Sequence, residues 1–130
     1  MSNGKLDLTS LELALKTLED ILQHPKDEIV RDATIQRFEY TYELARKMIR
    51  RHLDWAGISG PIDFTKNELY REAVKAGLIH DADAWLDYHI ARNETSHTYE
   101  LKTAEEVYEM ARKFAPDARS LLTELKKHHG

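Results

Sequence analysis

Apolar residues recur every three to four positions along most of the chain, the spacing of a helix buried on one face. Five helices and no strands are predicted. The first opens on Thr9-x-x-Glu12, a capping-box pattern in which each side chain satisfies the other's backbone N–H. Its stripe is Leu11, Ala14, Leu15, Leu18, Ile21 and Leu22, and His24-Pro25 ends it. The second runs from about Asp27 to Trp55 on Ile35, Phe38, Tyr42, Ala45, Ile49 and Leu53, with Leu44 and Met48 alongside. Gly57 and Gly60-Pro61 then make a loop. The third begins at a second box, Thr65-x-x-Glu68, and stops at Gly77. The fourth starts near Asp81 or Asp83 and carries Trp85, Leu86 and Ile90. The fifth starts at a third box, Thr103-x-x-Glu106, and carries Val107, Met110 and Phe114. Pro116 predicts a kink or short break before Leu121, Leu122 and Leu125. The expected fold is an all-α, antiparallel, up-and-down bundle of about five helices, one domain over residues 1–130. The ends, 1–7 and 126–130, are expected to fray.

Composition narrows the chemistry. With no cysteine, the 130 residues have no disulfide, thiol nucleophile or Cys-based zinc site. Met1-Ser2-Asn3-Gly4-Lys5 has no hydrophobic signal core, and no long apolar run follows, so the expected compartment is the cytoplasm. The net charge of −4 argues against a general nucleic-acid binder. Any RNA contact must be local, or be made by an assembly.

One stretch concentrates reactive groups: Arg92-Asn93-Glu94-Thr95-Ser96-His97-Thr98-Tyr99. Arginine offers a planar fork for phosphate, and histidine exchanges a proton near neutral pH. Composition alone would produce an Arg-x4-His pair about 0.5 times in such a chain, but the pair followed by Tyr only about 0.02 times. The triple therefore carries more weight than the pair. The bland reading is a polar helix end with a loop tyrosine. On a regular helix, Arg92 and His97 point about 140° apart, whereas Asn93 and His97 share a face. Two arrangements would bring arginine and histidine to one phosphate. The helix can unwind at Thr95-Ser96, or two copies of the chain can converge across a two-fold axis. The second is favoured, with help from the first.

Other candidates have ordinary explanations beside the functional ones. Arg46, Lys47, Arg50 and Arg51 form a solvated face of the second helix, or a track for RNA or nucleotide phosphates if it lies beside Arg92. Asp32 and Glu39 share a face and could bind a metal or orient an arginine, but a salt bridge to Arg31, Arg37 or another helix is favoured. Arg37 and Glu39 read as structural or interface residues. His24, His52, His80 and His89 are scattered at helix ends or exposed positions, and His128-His129 sit on a floppy tail. Trp85 and Phe38 read as core or dimer contacts. No His-Glu-x-x-His spacing and no Gly-rich phosphate loop occurs, so neither a metal site nor a cofactor is expected.

Arg92-x4-His97 with Asn93 resembles the Arg-x4–6-His motif of the HEPN superfamily, helical domains that include metal-independent ribonucleases. With Tyr99 it is similar to the form found in HepT-type toxins, which are encoded beside a minimal nucleotidyltransferase antitoxin. Ile29 to Leu44, Arg71 to Ile79 and Ala84-Trp85-Leu86 resemble the related nucleotidyltransferase substrate-binding proteins. The resemblance runs from about residue 8 to 125; Arg46 departs from it, standing where an aromatic residue is expected. It implies a homodimeric RNA endonuclease in which His97 is general acid or base, Arg92 holds the phosphate and Asn93 orients His97 or the substrate. It implies that the partner attaches AMP to Tyr99 and so silences the site. The alternative is a non-catalytic subunit that binds nucleotide or substrate for a separate nucleotidyltransferase. The chain lacks the Gly-Ser loop and Asp-x-Asp carboxylates of that enzyme, so it would be its partner.

Overall fold

The computed structural model describes residues 4–58, 60 and 63–130. Among them are five α-helices: α1 Thr9–Ile21, α2 Glu28–Trp55, α3 Lys66–Lys75, α4 Ala82–Asn93 and α5 Leu101–His129. A 3-10 turn, Glu94–His97, joins α4 to α5. No strand occurs among the described residues, as the period of the apolar positions predicts. Pro61 and Met1–Asn3 lie outside the described residues.

The starts of three helices are fixed by side chains. Asp27 accepts from the Val30 N–H at 2.7 Å and Asp81 from the Ala84 N–H at 3.1 Å. The Thr65 box forms in full, with Thr65 N–H to Glu68 at 3.0 Å and Glu68 N–H to Thr65 at 3.2 Å. α3 ends where Gly77 takes φ +78, letting the Leu78 N–H reach the Ala73 carbonyl at 3.0 Å. Gly57, at φ +85, ends α2 in the same way.

Cross-links between helices give the directions. Glu12–Lys126 and Glu19–Arg119 make α1 antiparallel to α5. Arg31–Glu105 and His52–His129 make α2 and α5 parallel. Tyr42–His89, Glu43–Arg92 and Glu39–Thr95 make α2 antiparallel to α4. Four helices thus alternate in direction around a shared core, and the short α3 joins α2 to α4. The core is aromatic at its centre. The Phe114 ring meets Phe38 at 5.2 Å, Tyr88 at 5.2 Å and Trp85 at 5.5 Å, all edge-on. Every residue of the predicted α2 stripe is buried, and Phe38 and Trp85 are core residues.

Several expectations are corrected. The Thr9 and Thr103 boxes do not form. Leu8 is the cap residue of α1, and Asp7 instead accepts from the Thr9 N–H at 2.9 Å. α5 starts three residues earlier than the Thr103 pattern implies, from Glu100, with no side-chain cap. Pro116 does not break α5, which continues as one helix to His129. Ile90 is not a core residue; it is 56% exposed.

The tail from Lys126 is helical, not frayed, and its histidines are engaged. His52 and His129 are buried, joined Nδ1 to Nε2 at 2.9 Å. The Leu6 N–H donates to His129 Nδ1 at 3.0 Å. A backbone N–H can only donate, so His129 carries its proton on Nε2 and gives it to His52. Both rings are therefore neutral in this arrangement. Burial, with His128 and His129 close by, pushes the His52 pKa down to about 4. Burial also lowers that of His129, beside His128 and Lys5. Trp55 packs edge-on against His129, 4.6 Å between ring centroids.

Candidate functional site at the Arg92 to Tyr99 turn

Arg92 and Asn93 are the last two residues of α4, and His97 ends the 3-10 turn that follows. The chain tightens where hydroxyls can serve carbonyls left by the α-helix. Thr95 Oγ1 donates to the Arg92 carbonyl at 2.8 Å, and Thr98 Oγ1 to the Thr95 carbonyl at 3.2 Å. Glu100 N–H then closes on the His97 carbonyl at 3.2 Å and α5 begins. The turn is thus pinned between two helices anchored in the core.

The arginine is held from across the bundle. Its Nε donates to Glu43 at 3.1 Å, and its guanidinium lies 3.6 Å from Glu39. The single Thr95 hydroxyl hydrogen is shared between the Arg92 carbonyl and Glu39, whose carboxylate lies 3.1 Å from Oγ1. The two carboxylates, one turn apart on α2, therefore fix both ends of the Arg92–Thr95 segment. Sequence reasoning gave Glu43 no role, and read Glu39 as a salt-bridge or interface residue with the orienting of an arginine as the alternative. The i, i+4 spacing of the two acids was the available signal.

His97, Asn93 and Tyr99 face solvent, and the Tyr99 side chain is 80% exposed. The rings of His97 and Tyr99 meet edge-on, 6.2 Å between centroids. No hydrogen bond joins Arg92 to His97 among the described residues. The tightening at Thr95-Ser96 does not converge them. At about 100° per α-helical residue and about 120° per 3-10 residue, the two side chains leave the axis roughly 160° apart.

The remaining candidates divide. Asp32 pairs with Arg31 at 3.1 Å, and Arg37 donates to the Thr17 carbonyl at 2.8 Å; both are structural. Lys47 and Arg51 are exposed on α2, while Arg46 and Arg50 are half-buried on its other flank. His89 is not an exposed helix-end residue. It lies half-buried, and its Nδ1 is 2.9 Å from the Tyr42 hydroxyl. Among the described residues, no helix is long and apolar enough to cross a membrane.

A four-helix bundle with a short extra helix, carrying Arg-x4-His-x-Tyr at the end of its fourth helix, is the class that fold and motif define. The chain belongs to the family described as nucleotidyltransferase substrate binding protein like, whose model matches residues 6–127. It is 34% identical to the probable ribonuclease HepT of Haemophilus influenzae, over 99% of this chain and 98% of that protein. A solved structure from Haemophilus influenzae, described as the fold of a substrate binding domain of a nucleotidyltransferase, is 30% identical with a TM-score of 0.84. It covers 92% of this chain and 99% of its own. A crystal structure from Thermus thermophilus is also 30% identical, with a TM-score of 0.78, over 88% of this chain and 98% of its own.

Proposed function

We propose that the chain is the toxin of a toxin–antitoxin pair: a homodimeric, metal-independent RNA endonuclease, neutralised when a partner minimal nucleotidyltransferase adenylylates Tyr99. His97 takes the proton from a ribose 2′-hydroxyl, whose oxygen attacks the adjacent phosphorus. The 5′-oxygen leaves and is protonated, giving a 2′,3′-cyclic phosphate and a 5′-hydroxyl end. Arg92 holds the phosphate and offsets the charge that builds on it. Asn93, four residues before His97, orients the imidazole or the substrate. The divergence of Arg92 and His97 on one chain favours a site in which one copy supplies the arginine and the other the histidine. Arg46, Lys47, Arg50 and Arg51 extend the path for RNA or nucleotide phosphates.

The observation that carries the reading is the exposed Tyr99 ring set edge-on against His97. A phosphate added to that hydroxyl stays beside the groups that would engage RNA, and an enzyme can reach it. The likeness to a probable ribonuclease over nearly the full length adds support. The test is RNA cleavage in EDTA by the wild type and by His97→Ala. Activity that survives chelation and disappears in the variant is expected; equal activity in both would overturn the assignment. Mass spectrometry after co-expression with the nucleotidyltransferase should place adenylate on Tyr99, with none on Tyr99→Phe. A monomer mass in light scattering at micromolar concentration would argue against the shared site.

The family's description favours a second reading, a non-catalytic subunit that presents substrate or nucleotide to a nucleotidyltransferase. It predicts ATP binding that needs Arg92, with no cleavage at any protein concentration.

A further inference from the structure

Three helices meet at a hydrogen-bonded chain away from the Arg92–Tyr99 turn. The Tyr42 hydroxyl of α2 contacts the Tyr70 hydroxyl of α3 and lies 2.9 Å from His89 Nδ1 of α4. Both tyrosines are fully buried. Burial raises the Tyr42 pKa to about 12 and that of Tyr70 further, so both stay protonated. Burial and the cations Arg46 and Lys66 lower that of His89. The chain is therefore neutral, and His89 Nε2 has no hydrogen-bond partner among the described residues.

Unbalanced positive charge surrounds this neutral chain. Arg46 and Arg50 follow Tyr42 by one and two turns on α2, and both act on Tyr42 and Tyr70. Lys66, in the first turn of α3, acts on His89. The Nε atoms of Arg46 and Arg50 are buried, with no hydrogen-bond partner among the described residues. Neither guanidinium meets a carboxylate among the described residues. Arg31, Arg92, Arg112 and Arg119 all do. Arg51 and Arg71 also lack a carboxylate among the described residues, but both are exposed and water serves them. A buried guanidinium N–H left unpaired is costly unless a ligand uses it. The carboxylate that acts on His89, Glu43, is already taken by Arg92.

The cluster adjoins the motif. Arg46 is one turn beyond Glu43 on α2, and His89 is one turn before Arg92 on α4. Because α2 and α4 are antiparallel, both steps lead the same way, by about 5.4 Å per turn. Neighbouring phosphates of an extended single strand can span such a step.

We propose that Arg46, Arg50 and Lys66, gathered at the Tyr70–Tyr42–His89 chain, form a phosphate subsite next to the one at Arg92. It rests on the proposed role of Arg92 as a phosphate ligand and adds a second contact to it. Arginine forks take the two non-bridging phosphate oxygens, and neutral His89 can donate to one of the same pair. The occupant is the next phosphate of an RNA strand. A nucleotide polyphosphate offers the same chemistry from a different source.

The test uses the full chain and 2′-O-methyl oligonucleotides, which resist cleavage. Binding of a dinucleoside monophosphate and of a trinucleoside diphosphate is measured by calorimetry, with ATP as a third probe. The wild type should bind the trinucleotide on the order of ten-fold tighter than the dinucleotide, about one good charged contact. Arg46→Gln/Arg50→Gln should abolish that increment and leave dinucleotide binding, whereas Arg92→Gln should weaken both. An increment that persists in the double variant overturns the proposal. If the wild type ignores both oligonucleotides but its ATP affinity falls in the double variant, the subsite stands and the RNA reading fails. If ATP affinity is also unchanged, the subsite fails too. Lys66→Gln, on an exposed residue, provides a variant that leaves packing untouched and should reduce the same increment. An unreduced increment there, in folded protein, counts against the site.

Discussion

Arg92 is held by two acids from α2, which would compete with the phosphate proposed for it and so make its neighbours testable. Glu43→Gln removes the closer partner and should raise affinity for a single-stranded oligonucleotide. A partly exposed ion pair contributes about 1 kcal/mol at most, so the gain should be roughly five-fold or less. Glu39→Gln should gain less, since its carboxylate is at 3.6 Å against 3.1 Å. Titration of labelled oligonucleotide by anisotropy reads both, and weaker binding by Glu43→Gln would show that the acid positions Arg92 instead of competing for it. Residues of the motif were legible in the sequence because three uncommon groups fall close together. Their partners were not, because Glu43 and Glu39 lie 49 and 56 residues away along the chain from the groups they bind. The Tyr42–Tyr70–His89 chain was hidden for the same reason. Tyr42 has the spacing of a core residue, and nothing local says that its hydroxyl faces two others.

Helices were legible where apolar spacing or glycine defined them, and less so at their starts. Three Thr-x-x-Glu patterns occur and one forms a capping box. Thr9 already lies inside α1, so its side chain cannot cap, and Asp7 accepts from its N–H instead. At Thr103 the preceding turn leads straight from His97 into α5, so the helix starts before the threonine. The consequence is a contrast in stability. Thr65→Ala should cost about 1 kcal/mol in urea unfolding, and Thr9→Ala and Thr103→Ala much less. Asp7→Ala should exceed Thr9→Ala. Equal losses at Thr65 and Thr103 would contradict these helix starts. Pro116 belongs to the same lesson. Its ring removes one hydrogen bond, but Phe114, Ala115, Ala118, Leu121 and Leu122 are buried around it and hold the helix on its course.

At the level of the whole molecule, the core and the end cluster make separate predictions. Phe114 touches Phe38, Trp85 and Tyr88, so Phe114→Ala should cost about 3–5 kcal/mol and lower Tm sharply. The His52–His129 pair makes stability depend on pH. The unfolded chain binds protons near the ordinary histidine pKa of about 6.5, whereas the folded pair resists them. Its contribution is therefore fully present above about pH 6.5 and is lost as pH falls towards the His52 value of about 4. Thermal melts between pH 7.5 and 4.5 should show a steeper loss for the wild type than for His52→Gln; parallel curves would remove the pair from the account. Finally, α2 is 28 residues long and gives partners to every other part of the bundle, from Thr17 to Arg92 and His129. Its central amides, around Thr41 to Ile49, should exchange with deuterium only when the entire molecule opens. The Arg92–Tyr99 turn hangs on that slow-exchanging rod by Glu39 and Glu43, while its own outer side chains stay in water. The adenylylation proposed for Tyr99 would therefore run at the speed of collision, without waiting for the bundle to unfold.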